Sequence, residues 1–222
     1  MNPADWRLIF MDKIVCVGKN YLDHAIELGD KVPEKPVIFI KPSSILRAAV
    51  QNEELELIIP QGQGALHFET EIVLRLERGG YKLDLKDAEK CIGAVTVGLD
   101  MTFRYLQATQ KKNGHPWTTS KVFPDAAIVG PWVRLSEFPN YLEDSFTFLL
   151  NDEVRQQGVG KNMRMNPAEI VSFISEFFPL VAGDLIFTGT PAGVSHVEAG
   201  QRGVLKYGDI SYSVNWKNRL ST

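Results

Sequence analysis

The stretch HFETEIVLRL, residues 67–76, places two carboxylates, Glu69 and Glu71, inside an apolar run that is typical of a buried β-strand. The period of two puts both carboxylates on one face of the predicted strand, with Thr70 and Ile72 on the other. Two carboxylates so close together repel each other, and burial raises the pKa of one of them unless a cation lies between them. The pair therefore indicates either the exposed face of an edge strand or a cation site.

A third carboxylate favours the cation site. Asp100 ends the apolar run CIGAVTVGLD, residues 91–100, where a helix-like polar stretch begins. A carboxylate at such a strand end, beside a Glu pair, completes a set of three oxygen ligands, which hard cations prefer. The four histidines and two cysteines are scattered without zinc spacing. If the cluster binds a metal, the sequence therefore favours Mg²⁺ or Mn²⁺.

Length and composition indicate a folded chain that acts on a small molecule or a protein partner. With 222 residues, 44% of them hydrophobic, the chain can bury a sizeable core, most simply as one domain, two being the alternative. A net charge of −3 without a dense Lys/Arg run gives no electrostatic footprint for nucleic acid or an anionic membrane surface. Cys16 and Cys91 lie in apolar runs, as expected for core residues of a reduced compartment. With neither a signal-like start nor a stretch of roughly 18–20 apolar residues, we expect a cytoplasmic protein.

The order of apolar runs and turn signals indicates a mostly β chain rather than a βα alternation. Strands and hairpins are predicted over residues 13–18, 36–42, 67–76, 91–100, 145–158 and 203–219. Helices are predicted from Thr102 to a stop at Gly114 and Pro116, and over NPAEIVSFISEFFPL, residues 166–180. The segment NYLDHAIELGD, residues 20–30, suits a short helix or a loop.

Several stretches, in their order and spacing, resemble the fumarylacetoacetate hydrolase family, most strongly its short acylpyruvate hydrolase and oxaloacetate decarboxylase branch. They are GKNYLDHAIELGDKVPEKPVIFIKPSS (18–44), HFETE (67–71), GLDMTFRYLQ (98–107), KNGHPWTTSKVF (112–123) and FTGTPAGV (187–194). The resemblance implies a mostly β, α+β fold with a rolled, barrel-like mixed sheet. It also implies one catalytic domain over residues 1–222, with 1–12 as an N-terminal extension, a homodimer, and bound Mg²⁺ or Mn²⁺.

Position by position, the resemblance also implies the site residues. Glu69, Glu71 and Asp100 match the metal ligands of the family. His24 and Glu27 match an acid/base dyad on a lid segment, residues 20–32, that we expect to be mobile without ligand. Because residues three apart on a helical turn share a face, Glu27 can orient the imidazole and raise its basicity.

The remaining predicted site residues surround the substrate. Arg104, Gln107, Thr190, Gly189 and Tyr21 match or border the substrate pocket, and Lys121 matches a catalytic lysine near the metal; a structural ion pair is the alternative role for Arg104. The glycines of the TGTPAG loop let the backbone approach the ligand closely. The chain departs from the family at SHVEAG, residues 195–200, and at Phe68, where related chains often carry a second histidine.

The resemblance implies a keto-acid substrate and leaves three functions open. The preferred one is metal-dependent hydrolysis of a carbon–carbon bond in acylpyruvates, because a dyad on a lid is suited to activating water. The alternative is oxaloacetate decarboxylation or keto–enol tautomerisation at the same site, which needs no water activation. The third is a non-catalytic keto-acid-binding protein, disfavoured because the chain retains both His24 and Glu27.

Overall fold

The computed structural model describes residues 11–27 and 35–218, within which the chain forms sixteen strands and five α-helices. The strands are β1 (Lys13–Gly18), β2 (Val37–Pro42), β3 (Leu46–Ala48), β4 (Glu54–Ile59), β5 (Leu66–Phe68), β6 (Thr70–Leu76), β7 (Ile92–Asp100), β8 (Thr102–Phe103), β9 (Ala127–Val129), β10 (Val133–Arg134), β11 (Ser145–Leu150), β12 (Glu153–Val159), β13 (Leu185–Phe187), β14 (Ser195–Val197), β15 (Arg202–Tyr207) and β16 (Ile210–Asn218). The α-helices are α1 (Leu22–Glu27), α2 (Leu85–Cys91), α3 (Arg104–Asn113), α4 (Thr118–Lys121) and α5 (Pro167–Ser175). Short 3-10 helices cover Ser43–Ile45, Leu135–Glu137 and Gly160–Asn162.

The largest sheet is mixed and curls into a half-barrel, which confirms the predicted fold class. Its strand order is β2-β1-β13-β6-β7-β9-β3, with β10 paired to β7. The pairs β1–β13 and β3–β9 are parallel, and the other pairs are antiparallel. The strand predicted over residues 67–76 is divided at Glu69 into β5 and β6, which belong to different sheets. Strand β6 lies in the interior of the largest sheet, and Glu69 and Glu71 are both buried, so the edge-strand interpretation of the Glu pair does not hold.

Two smaller sheets complete the core. Five strands are ordered β12-β11-β15-β16-β4, and three are ordered β14-β5-β8. The five-stranded sheet packs against β5 through aromatic side chains: the ring centroid of Phe148 on β11 lies 4.5 Å from that of Phe68 on β5. The buried Phe68 is thus a core residue.

Local signals in the sequence place most of the turns correctly. Asn151 and Asp152 have φ angles of 51° and 65° between β11 and β12, as a tight hairpin turn requires. Helix α3 ends at Gly114 in the left-handed conformation, and α5 begins with a capping box between Asn166 and Glu169.

Helix α5 is shorter than the prediction for residues 166–180. It ends at Ser175, because Pro179 disfavours helical backbone in the residue before it and Leu180 pairs with Gly80 in a β-bridge. The buried, unpaired Cys16 and Cys91 agree with their prediction as core residues.

The antiparallel pairing of β6 and β7 positions the acidic residues. Thr70 lies opposite Leu99, and the backbone N–H of Asp100 donates to the carbonyl of Glu69 at 2.8 Å. Because antiparallel strands bring the start of one beside the end of the other, all three predicted metal ligands meet at one end of the β6–β7 pair.

Two predictions reach beyond the described residues. Residues 1–10 of the proposed N-terminal extension lie outside them, as do residues 28–32 of the lid segment. Among the helices that the structure describes, none is both long and apolar enough to cross a membrane.

Candidate metal centre and catalytic site

Three buried carboxylates form the centre of the candidate site. Oxygen atoms of Glu69, Glu71 and Asp100 all lie within 4.8 Å of one another, in a geometry that could hold a metal ion. The exposed fractions of these residues are only 6%, 2% and 1%. Burying three like charges together is unfavourable, so each carboxylate needs compensating charge or hydrogen bonds.

Glu69 and Asp100 obtain that compensation from cationic side chains. The Lys121 Nζ lies 2.7 Å from both Glu69 Oε2 and Asp100 Oδ2, and the Arg104 guanidinium contacts Glu69 Oε1. Burial alone would raise the pKa of Glu69, but Lys121 and Arg104 outweigh it and hold that pKa well below its usual value. Glu69 is therefore ionised.

Glu71 lacks such a partner. It accepts a hydrogen bond of 2.6 Å from the Gly189 N–H, and no ion pair joins it to a cation within the described residues. Burial, followed by the neighbouring charges of Asp100 and Glu69, raises the pKa of Glu71 well above its usual value. A divalent cation fits this cluster, because it would neutralise the remaining carboxylate with the oxygen ligands that such cations prefer.

Lys41, a residue that the sequence analysis missed, completes the charge pattern around Asp100. Its ammonium group is fully buried, lies 2.5 Å from Asp100 Oδ1, and donates to the carbonyls of Met101 at 3.2 Å and Ala126 at 2.5 Å. The signal that could have found it is a lysine near the end of the apolar run PVIFIKP, where a charge must be paired to be buried.

The predicted dyad lies on α1, beside the carboxylates. The His24 Nδ1 is 3.4 Å from Glu27 Oε2, and Glu27 accepts from the Gly193 N–H at 3.0 and 3.2 Å. Burial lowers the pKa of His24, although Glu69 and Glu27 oppose it, so the imidazole is neutral at neutral pH. Gly193 is required here, because a Cβ atom would meet the Arg155 carbonyl oxygen at 2.1 Å.

One cavity brings most of the predicted residues together. Eight of the eleven line it: His24, Glu69, Glu71, Asp100, Arg104, Gln107, Lys121 and Thr190. Glu27 and Gly189 join through hydrogen bonds to His24 and Glu71. The Arg104 Nη1 also donates to Gln107 Oε1 at 2.8 Å, so the predicted pair shares one face of α3.

Tyr21 is not among the residues that line this cavity. Its hydroxyl lies 3.4 Å from the Val159 carbonyl, and the residue lines a separate cavity with Pro191 and Ala192. Thr190 lines the cavity that holds the three carboxylates, but its hydroxyl donates to the Thr70 carbonyl at 2.9 Å. That hydroxyl therefore has a structural partner in addition to any contact with a substrate.

The two departures from the family pattern lie next to each other. Ser195, the first residue of SHVEAG, is the cross-strand partner of Phe68 in the β14–β5 pair. No helix follows the TGTPAG loop; strand β14 does. Both departures thus belong to one small sheet, and neither residue lines the catalytic cavity.

The chain belongs to the fumarylacetoacetate hydrolase family. The family model for the C-terminal domain of fumarylacetoacetate (FAA) hydrolase matches residues 13–215, which confirms the resemblance seen in the sequence.

Its relatives include tautomerases and a hydrolase. The mitochondrial oxaloacetate tautomerase FAHD1 of Arabidopsis thaliana is 38% identical over 208 residues, 91% of this chain and 90% of that protein. The mitochondrial oxaloacetate tautomerase fahd-1 of Caenorhabditis elegans is 35% identical over 196 residues, 88% and 89% of the two chains. The crystal structure of fumarylpyruvate hydrolase from Pseudomonas aeruginosa in complex with Mn²⁺ and pyruvate has a TM-score of 0.89 and 35% identity, covering 94% of this chain and 91% of that one.

Replacing Lys41 by Met should destabilise the protein by about 3 kcal/mol, because a buried ion pair loses one partner and the Met101 carbonyl loses its donor, whereas the Ala126 carbonyl keeps the Met101 N–H. The control is Lys161→Met, which removes an exposed pair with Glu143 and should cost less than about 1 kcal/mol. Urea denaturation of both variants measures the difference. An equal decrease in the free energy of unfolding in the two variants would show that Lys41 is not a buried structural cation.

Replacing Glu71 by Gln should stabilise the metal-free protein. The folded state raises the pKa of Glu71 above its ordinary value of 4.5, so folding favours the protonated carboxyl group. The contribution of this protonated group to the free energy of unfolding is fully present below pH 4.5 and is lost as the pH rises through the raised pKa. The advantage of the variant should therefore grow above pH 4.5 in the presence of a chelator, as measured by thermal unfolding.

The same substitution should abolish the response to metal. The free energy of unfolding of the wild type should rise by about 2.7 kcal/mol when Mg²⁺ is present at about 100 times its dissociation constant, whereas that of Glu71→Gln should rise little. An equal gain by both proteins would remove Glu71 from the metal site.

Proposed function

We propose that this chain is a divalent-cation-dependent enzyme that interconverts the keto and enol forms of oxaloacetate. The observation that carries the proposal is that His24, whose pKa is lowered by burial, lines the same cavity as three buried carboxylates and their cationic partners Lys121 and Arg104. That combination offers a proton acceptor beside a place where enolate charge is stabilised. The similarity to oxaloacetate tautomerases supports this alternative better than acylpyruvate hydrolysis, the function that the sequence analysis preferred.

Glu69, Glu71 and Asp100 would hold Mg²⁺ or Mn²⁺, and the Mn²⁺ in the related hydrolase structure supports this assignment. When bound, the cation supplies Lewis-acid stabilisation of negative charge that develops on a keto oxygen.

Three side chains of α3 and α4 supply the fixed donors of the site. Arg104 and Gln107 offer a guanidinium and an amide to a substrate carboxylate, which suits a dicarboxylic keto acid. Burial would lower the pKa of Lys121, but Asp100 and Glu69 outweigh it and raise that pKa. Lys121 therefore stays protonated and acts as an electrostatic stabiliser rather than as a base.

His24 is assigned the proton transfer. With Nδ1–H directed at Glu27, the Nε2 atom of the neutral imidazole is free to accept a proton from carbon 3 of oxaloacetate. The imidazolium gives that same proton to the keto oxygen as the enol forms, and the reverse reaction returns it through His24 to carbon 3. Glu27 stabilises the imidazolium that forms in between.

The first experiment follows conversion of the enol form of oxaloacetate by ultraviolet absorbance, with Mg²⁺ and after chelation. His24→Ala should lower the rate about 100-fold or more while Mn²⁺ affinity stays unchanged, because the imidazole transfers protons but is not a ligand. The exposed His196→Ala is the control and should retain activity.

Loss of both activity and Mn²⁺ affinity in His24→Ala would mean that His24 is structural or a ligand. Binding of oxaloacetate by wild type without turnover would instead support the non-catalytic alternative.

Acylpyruvate hydrolysis remains a second candidate because of an apolar groove beside the catalytic cavity. The groove has a volume of about 660 Å³, and Phe39, Trp117 and Lys121 line both it and the cavity. The Phe39 ring lies 4.8 Å from the Lys121 ammonium, within reach of a group that extends from the carboxylate cluster. In this reaction His24 would activate water to attack the distal carbonyl. The cleaved bond's electron pair would pass to pyruvate enolate, releasing a carboxylic acid.

If the groove holds the distal group, kcat/KM should rise with chain length from acetylpyruvate to hexanoylpyruvate. Each newly buried CH₂ should contribute up to roughly fourfold. Phe177→Ser, at the groove, should reduce turnover of the long substrate only, whereas the exposed Tyr81→Ser is a control. A flat dependence on chain length in product analysis would reject this candidate.

Assembly and location stay predictions. A homodimer is proposed from the family resemblance, and light scattering of the purified protein tests it. A cytoplasmic location is proposed from the sequence alone. The two oxaloacetate tautomerases described above are named as mitochondrial proteins and do not support it.

A further inference from the structure

A buried glutamine from the five-stranded sheet connects two parts of the catalytic site. Gln156 lies on β12, and its exposed fraction is 1%. Its Oε1 accepts from the backbone N–H of Thr70 at 2.9 Å. Its Nε2 donates to Thr190 Oγ1 at 2.8 Å and to the Pro191 carbonyl at 2.9 Å.

The hydrogen bond from the Thr70 N–H to Gln156 Oε1 acts on the segment that carries the predicted metal ligands. Thr70 is the residue between Glu69 and Glu71, so a hydrogen bond to its N–H restrains the backbone that carries both carboxylates. The Thr190 hydroxyl donates to the carbonyl of the same residue at 2.9 Å. Gln156, Thr70 and Thr190 therefore form a closed hydrogen-bonded ring.

The other contacts hold the loop of residues 188–193. This loop contributes the Gly189 N–H to Glu71 and the Gly193 N–H to Glu27. Strand β12 also limits the loop sterically, since Gly193 packs against the carbonyl of Arg155, the neighbour of Gln156. One strand thus contacts both the ligand-bearing segment and the loop that holds the dyad.

We propose that Gln156 is a positioning residue, which fixes the segment of residues 69–71 and the loop of residues 188–193 relative to each other. The proposal rests on the proposed function, because it assigns Gln156 a role at that same metal site. Only an amide offers one acceptor and two donors in this arrangement, so a glutamate or an apolar side chain cannot reproduce it. Residues that orient metal ligands in this way affect metal affinity or activity about 10- to 100-fold.

The test compares Gln156→Met with Gln157→Met. The two glutamines are adjacent on β12, but Gln157 is exposed, so the same substitution there is a matched control. Mn²⁺ affinity is measured by electron paramagnetic resonance of free Mn²⁺, which needs no turnover; kcat and KM for oxaloacetate are measured separately. We expect Gln156→Met to weaken Mn²⁺ binding about tenfold and to lower kcat at least as much, with Gln157→Met unchanged.

A purely structural role gives a different result. In that case Gln156→Met would lower the unfolding midpoint but leave Mn²⁺ affinity and the kcat of the folded protein unchanged, which would overturn the proposal. If Gln156→Met does not fold, Thr190→Val breaks the same ring from its other side. It should weaken Mn²⁺ binding, and Thr190→Ser should restore it; equal affinities of these two variants would also overturn the proposal.

The outcome is separable from that of the proposed function. If wild type binds Mn²⁺ but does not turn over oxaloacetate, the proposed function fails, while the Mn²⁺ affinities of Gln156→Met and Gln157→Met still decide the role of Gln156.

Discussion

Three carboxylates buried together at one end of two interior β-strands are the constraint on which the rest of this structure depends. A single unpaired charge inside a protein costs several kcal/mol, and three of like sign cannot be buried without partners. Lys121, Arg104 and Lys41 meet that requirement for Glu69 and Asp100. These cations come from α4, α3 and β2, so the charge pattern ties two helices and the edge strand β2 to the carboxylates at β6 and β7.

The negative charge that these cations leave uncompensated, at Glu71, is the basis of the proposed function. Glu71 accepts from a backbone N–H but forms no ion pair within the described part of the chain, which leaves the cluster suited to a divalent ion. The antiparallel β6–β7 pair brings the three carboxylates together at one end of the two strands. His24 on α1 lines the cavity at that end. Within the described residues, α1 carries both members of the predicted dyad, and the Gly193 backbone N–H donates to Glu27.

One enolate-stabilising site is compatible with tautomerisation, decarboxylation and hydrolysis, because all three pass through the same charged species. What distinguishes them is how the site treats water and the distal part of the substrate. The carboxylates, Lys121 and Arg104 belong to the common part. The groove lined by Phe39 and Trp117 lies where the distal part of a substrate would differ between these reactions.

The sequence by itself determined most of the longer strands, several turns and the likeness to one enzyme family, but it did not predict the short strands β3, β8, β9, β10 and β14. These features depend on local patterns, such as the Asn151–Asp152 turn, the capping box of α5 and the period of two at Glu69 and Glu71. The end of α5 was misplaced, because a bridge between Leu180 and Gly80 competes with the helical pattern. Only the tertiary structure revealed Lys41 and Gln156, whose partners Met101 and Thr70 lie 60 and 86 residues away in the chain. No local pattern encodes such contacts, because folding alone decides which distant backbone groups a buried side chain meets.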